Sequence, residues 1–316
     1  MNKIFVPLIA ICIFCACKKT NAPAPPDPTA QDTLNNWVLA SSPATVLQDV
    51  RFIDNQNGFA TDGSKILKST DGGSSWTTPF TSTSTSLYNI QFIDPQHGYV
   101  QGATQLNSTS DSGATWVSRP LPIQGGLQFQ FIDPQRGYIM DYNKGLYRTL
   151  DSGNHWTLIQ GITYNFELLT FYFMDSLKGY EMFNSDFNST SNGGVSFNLV
   201  ASAAIKTVTQ GYFKMHFPDS LHGFCGTVEG LVRTTDGGKT WTNVLSTVTG
   251  YMIPYFFDSL NGYCLYDSSI YKTTDGGQHW SLSCRIGKSG FSGMSFLDLN
   301  NGWASTFDGR VFKLSQ

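Results

Sequence analysis

Apolar and polar residues alternate along this chain in short β-rich runs, such as Asn89-Ile90-Gln91-Phe92 and Lys65-Ile66-Leu67-Lys68, and no stretch sustains a helical period. A repeated phrase orders the runs. Phe-x-Asp, followed four residues later by Gly and an aromatic, occurs seven times: at Phe52/Gly58/Phe59, Phe92/Gly98/Tyr99, Phe131/Gly137/Tyr138, Phe173/Gly179/Tyr180, Phe217/Gly223/Phe224, Phe256/Gly262/Tyr263 and Phe296/Gly302/Trp303. Successive copies lie 39 to 44 residues apart. Between them stands a second motif, Ser/Thr-x-Asp-x-Gly-x-x-Trp, at Asp71 to Trp76, Asp111 to Trp116, Asp151 to Trp156, Asp236 to Trp241 and Asp275 to Trp280. A degraded copy runs from Thr190 through Asn192 and Gly194 to Phe197, and Trp37 holds the place of the seventh Trp.

Each repeat has room for four short strands. One such sheet cannot bury both of its faces, so units of roughly 40 residues must stack radially. The pattern predicts an all-β fold, a seven-bladed β-propeller of four-stranded antiparallel blades over residues 37–316. The last repeat ends soon after its third strand, and Trp37 to Ser41 begins as a fourth strand should, so the N-terminal strand is expected to close the ring.

The second motif is the Asp-box. Through it the chain resembles the Asp-box, or BNR-repeat, propellers, and among these it is most similar to the photosystem II stability/assembly factor-like family. The likeness covers residues 37–316 and implies the fold far more strongly than a function, because sialidases, xyloglucanases and sorting receptors carry the same boxes. Turn chemistry explains the motif. A short Asp accepts hydrogen bonds from its own turn, Gly takes backbone angles closed to other residues, and the Trp is expected to fill the gap between blades. Asp71, Asp111, Asp151, Asp236 and Asp275, with Trp76, Trp116, Trp156, Trp241 and Trp280, are therefore read as fasteners.

The first 36 residues break the pattern. Met1 to Lys3 is a short basic start, and Ile4 to Ala16 is an apolar run too short to span a bilayer. Residues 1–16 read as a lipoprotein signal peptide. The run closes on Ala16-Cys17-Lys18-Lys19, which resembles a lipobox, so Cys17 is expected to be lipidated and residues 17–36, with four prolines at 23 to 28, to form a tether. This implies a bacterial cell envelope protein, anchored by lipid and placed at the outer membrane. Of the other cysteines, Cys225, Cys264 and Cys284 belong to the repeats; Cys225 and Cys264 fall in a column of small or apolar residues and are read as core.

Only 14% of the 316 residues are charged, and the formal net charge is -3, which gives no footprint for nucleic acid. Of 20 Asp, 12 lie in the two repeat motifs. Glu167, Glu181 and Glu229 fall in different blades, so the paired carboxylates of a glycosidase are not apparent, and Glu181 interrupts the column otherwise held by Ala60, Val100, Ile139, Cys225, Cys264 and Ala304. The five His are scattered, four of them in repeat turns, and no His or Cys spacing suits a metal. No catalytic residue, cofactor or metal site is assigned.

The remaining variation is in the inner strands and crossovers. One and three residues before each repeat Phe stand mostly polar side chains, Arg51/Asp49, Gln91/Asn89, Gln130/Gln128, Tyr172/Thr170, His216/Lys214, Tyr255/Ile253 and Ser295/Gly293, whereas the residue between them is apolar. This period of two predicts a wet central channel on one side and blade packing on the other. The crossovers are longest around blades three to five, where Tyr164, Phe166, Glu167 and Lys206 accompany Lys214 and His216 of the inner strand. These six are the expected partner site on the crossover face. The sequence thus points to a monomeric, non-enzymatic binding or assembly platform for protein or glycan partners. The alternative is a glycan-processing hydrolase of the sialidase or xyloglucanase type.

Overall fold

The computed structural model describes residues 32, 34–83, 86–123, 128–141, 143–162, 168–183, 185–202, 214–227, 230–246, 252–287 and 289–315. These contain 28 strands in seven four-stranded antiparallel sheets, with no helix among them. Six sheets take consecutive strands, as in blade one: Asp49–Phe52, Gly58–Thr61, Lys65–Ser69 and Thr77–Thr81, from the channel outward. The seventh joins Phe291–Asp298, Asn301–Thr306 and Val311–Leu314 to Trp37–Ser41. Its register, Lys313 opposite Val38, matches Lys68 opposite Thr77 in blade one, so Trp37 occupies the position of Trp76. The N-terminal strand closes the ring as expected. Cys17, the signal peptide and most of the tether lie outside the described residues.

The turns hold themselves. Asp71 Oδ1 accepts the Ser75 N–H at 2.9 Å, and Ser69 Oγ accepts the Gly73 N–H at 2.8 Å while donating to the same carboxylate. The pattern recurs at Asp111, Asp151, Asp236 and Asp275. Hydrogen bonds from Ser75 and Ser69 pull Asp71 down to about 2. The degraded copy keeps the geometry without the charge: Asn192 Oδ1 accepts the Ser196 N–H, and Thr190 Oγ1 the Gly194 N–H, both at 3.0 Å.

There is no single core. Seven apolar clusters occupy the junctions between blades. At every junction the repeat Phe of one blade stacks face to face on the aromatic that follows the repeat Gly of the blade before it. The pairs are Phe52–Trp303, Phe92–Phe59, Phe131–Tyr99, Phe173–Tyr138, Phe217–Tyr180, Phe256–Phe224 and Phe296–Tyr263, with centroids 3.4 to 4.4 Å apart. The Trp of the turn meets the repeat Phe of its own blade edge-on, as Trp76 meets Phe52 at 6.0 Å, and it is only half-buried. The gap-filling assigned to Trp from sequence is therefore shared, and the stacked pair is the deeper fastener.

The stack also explains the repeat Gly, which lies opposite the Phe in the strand ladder, as Gly58 lies opposite Phe52. A Cβ on Gly223 would stand 2.2 Å from the Phe217 ring. Gly223→Ala is expected to lower stability by about 1–3 kcal/mol through overpacking, measured by urea unfolding. Unchanged stability would show that the ring has room to move.

Candidate binding site around the central channel

The inner strands turn two rings of side chains toward the axis. In the ring next to the repeat Phe, most members reach the backbone of the following blade. Gln91 makes a two-point clamp, its amide nitrogen donating to Phe131 O and its amide oxygen accepting the Phe131 N–H, each at 2.8 Å. Gln130 repeats this on Phe173. Tyr255 Oη donates to Phe296 O at 3.0 Å, and Ser295 Oγ accepts the Phe52 N–H at 2.9 Å. These side chains latch blade to blade and line the channel at once.

Blades four to six change the chemistry of this wall. The rings of Tyr172, His216 and Tyr255 form an arc, with His216 5.5 Å from Tyr172 and 5.8 Å from Tyr255. Burial, aided by the Arg51 charge, pulls His216 down to about 4, so the imidazole is neutral at pH 7. Its Nε2–H is given to Phe256 O at 2.8 Å, which leaves Nδ1 as a lone pair.

Cations complete the site. Arg51 and Lys214 are half-buried and have no hydrogen-bond or ion-pair partner among the described residues. The nearby acid is Asp49, whose oxygens accept the Val50 N–H at 2.8 Å and the Ile90 N–H at 3.0 Å. Burial pushes Asp49 up to about 6, against the pull of these two donors and of Lys214 and Arg51. Burial also lowers Lys214, countered by Asp49. The wall thus combines two cations without bonded partners, one restrained carboxylate and three aromatic rings, a set suited to a ligand with an anionic group and flat apolar surface.

Of the six residues expected to form the partner site, Lys214 and His216 stand on this wall. Tyr164, Phe166, Glu167 and Lys206 lie outside the described residues. Asp49, Arg51, Tyr172 and Tyr255 share the register of that pair but were not singled out by the sequence reading, and the column position was the available signal. The other histidines serve turns: His97 and His222 pair with Asp94 and Asp219, and His155 and His279 with Asp151 and Asp275. Cys225, Cys264 and Cys284 are buried free thiols. Burial pushes Cys225 up to about 12, so its thiolate is suppressed. Glu181 interrupts the apolar column as read from sequence, but it faces the packed junction of blades three and four rather than the channel, opposite Phe171 in the ladder.

Architecture and turns together define a seven-bladed β-propeller of four-stranded blades closed by its N-terminal strand. Residues 77–163 match the family model described as Photosynthesis system II assembly factor YCF48, in line with the likeness read from the repeats. Among solved structures, one described as YCF48 bound to D1 peptide is 17% identical, with 89% of this chain and 97% of that chain covered at a TM-score of 0.69. YCF48 from Cyanidioschyzon merolae is 16% identical, over 88% of this chain and 98% of that one, at 0.65. A GH74 xyloglucanase from Xanthomonas campestris is 12% identical over 87% of this chain, which spans 52% of the enzyme, at 0.63. At these identities the likeness to solved structures is one of fold. Comparison with curated proteins gives no match.

Proposed function

We propose that the protein is a non-enzymatic binding platform of the bacterial cell envelope, held to the membrane through Cys17, and that its channel wall receives a protein partner. The observation that carries this reading is the pair of cations, Arg51 and Lys214, set beside the Tyr172–His216–Tyr255 arc. A peptide with an acidic end and an apolar side chain meets both. The YCF48 structure with a D1 peptide supports the reading, since a propeller of similar fold there holds a protein segment.

The hydrolase alternative needs two carboxylates about 5–10 Å apart across one bond. Of the inner-strand positions one and three residues before the repeat Phe, Asp49 alone is acidic. Most other aspartates are engaged by their own turns, as Asp54 is by the backbone N–H groups of Gln56 and Asn57. The expected result is no turnover of xyloglucan or sialosides. Hydrolysis abolished by Asp49→Asn would replace the platform reading.

A tagged full chain crosslinked in its native envelope should capture a partner, and Arg51→Ala with Lys214→Ala should weaken that complex roughly tenfold or more. Equal capture by the double variant would move the site off the channel. For the anchor, Cys17→Ser should shift the protein from the membrane pellet to the soluble fraction. Continued membrane association would remove the lipid from the model of tethering.

A further inference from the structure

The hairpins that follow the repeat Phe and the Asp-box turns lie at one end of the propeller, and the inner strands run toward that end. The hairpins share one backbone plan. In blades one to three, Gln56, Gln96 and Gln135 each give their N–H to the hairpin Asp at 2.7 to 2.9 Å, and their carbonyls accept an N–H of the blade's own box turn. Leu177, Leu221 and Leu260 do the same in blades four to six, with N–H bonds of 2.7 to 2.8 Å. Asn300 holds this place in blade seven. The turn asks only for the backbone here, and in four blades the side chain is polar.

The three leucines are 53 to 57% exposed and belong to no apolar cluster among the described residues. Each stands five residues beyond a ring of the channel's aromatic arc, on the same hairpin: Tyr172 before Leu177, His216 before Leu221 and Tyr255 before Leu260. Neighbouring turns are tied together. Tyr180 Oη donates to Ser220 O, next to Leu221, at 3.1 Å, and Arg233 Nη1 to Gly276 O, whose N–H goes to Leu260 O. Val195, exposed in the box turn of blade four, widens the apolar area. One exposed leucine is ordinary. Three at one register in adjacent blades, where glutamine makes the same turn elsewhere, mark an interaction surface.

The opposite end of the propeller receives the N-terminal segment. Asp32 accepts the Gly287 N–H at 2.7 Å and pairs with Arg310 at 3.4 Å, beyond the outer strand of blade six and the second hairpin of blade seven. On the proposed Cys17 anchor the chain thus enters the propeller from the end away from the leucines, which favours protein over lipid as their cover.

We infer, resting on the channel reading, that the partner enters the channel from the leucine end and that aliphatic residues adjoining its acidic end lie across Leu177, Leu221 and Leu260. Burial of the leucines adds affinity without charge, while Arg51 and Lys214 fix the acidic end.

The test uses the full chain and two fluorescein-labelled peptides, Gly-Ser-Leu-Val-Leu-Gly-Asp-Asp and the same with Ser-Asn-Ser for Leu-Val-Leu, read by fluorescence anisotropy. The aliphatic peptide should bind the wild type about tenfold or more tightly than the polar one. That advantage should vanish in the triple variant Leu177→Gln, Leu221→Gln, Leu260→Gln, which copies the turns of blades one to three and should keep the wild-type melting temperature. A triple variant that melts early is replaced by Leu221→Gln, for which a smaller loss of the same advantage is expected. Arg51→Ala with Lys214→Ala should weaken both peptides alike. No binding of the aliphatic peptide, equal binding of the two peptides to the wild type, or an advantage undiminished by the leucine substitutions would overturn the inference. A leucine-dependent advantage with both peptides indifferent to Arg51→Ala and Lys214→Ala would instead overturn the channel reading alone. Partitioning onto phosphatidylglycerol vesicles that drops in the triple variant would overturn the inference in favour of a membrane surface.

Discussion

Deleting Trp37–Ser41 is expected to abolish single-step unfolding and to leave blade seven unformed. These five residues are the outer strand of that blade and carry the last junction contact, since Trp37 is 1% exposed, meets Phe296 edge-on at 5.9 Å and donates from Nε1 to Ser283 Oγ at 3.0 Å. Without them, Val311–Leu314 loses its outer ladder partner and keeps only Asn301–Thr306, and the cluster shared by blades six and seven opens to water. A ring is more sensitive to such a loss than an open stack, because every junction depends on closure. The point variant Trp37→Ala should already cost about 3–5 kcal/mol. Calorimetry decides the matter: a deletion variant that still melts in one transition, at the wild-type temperature, would show that closure does not depend on this strand.

Replacing Glu181 by Gln should make the protein more stable above neutral pH and remove much of the pH dependence of its stability. Glu181 is 1% exposed, between blades three and four, with one oxygen held by the Asn188 amide at 3.4 Å and the other without a partner. Burial pushes it up to about 7 from the usual 4.5, against that weak hydrogen bond. The folded state therefore holds this proton where the unfolded chain has released it. The contribution is intact below about 4.5 and falls away as pH rises to about 7, a difference on the order of 3 kcal/mol. Glutamine keeps the shape and has no proton to lose. Urea unfolding of both proteins between pH 4.5 and 8 should give a falling curve for the wild type and a flatter one for Glu181→Gln. Parallel curves would mean that water or rearrangement stabilises the ionised carboxylate.

The two expectations differ in how far they could be read in advance. Closure by Trp37 was legible because a strand of defined length was missing at one end of the repeat array and present at the other. Glu181 was visible only as an intruder in an apolar column. Its effect depends on what faces it from blade three, and that is set by residues some 40 positions away. The same divide runs through the candidate sites. Lys214 and His216 were legible as polar members of the inner-strand column, whereas their assembly with Asp49 and Arg51 of blade one required the ring to close.

The amino-acid sequence by itself determined the number of blades, the strands within them, the turn chemistry and the closing strand. These depend on short-range constraints, an Asp bonding its own turn or an alternation of period two, which a contiguous segment carries whole. Only the tertiary structure decided that each repeat Phe stacks on the aromatic of the preceding blade, and that two cations without bonded partners among the described residues share the channel wall with an aromatic arc. Such relations join residues from different repeats. Their energies arise from burial, stacking and charge proximity, all of which depend on how the blades meet in space rather than on how far apart they stand along the chain.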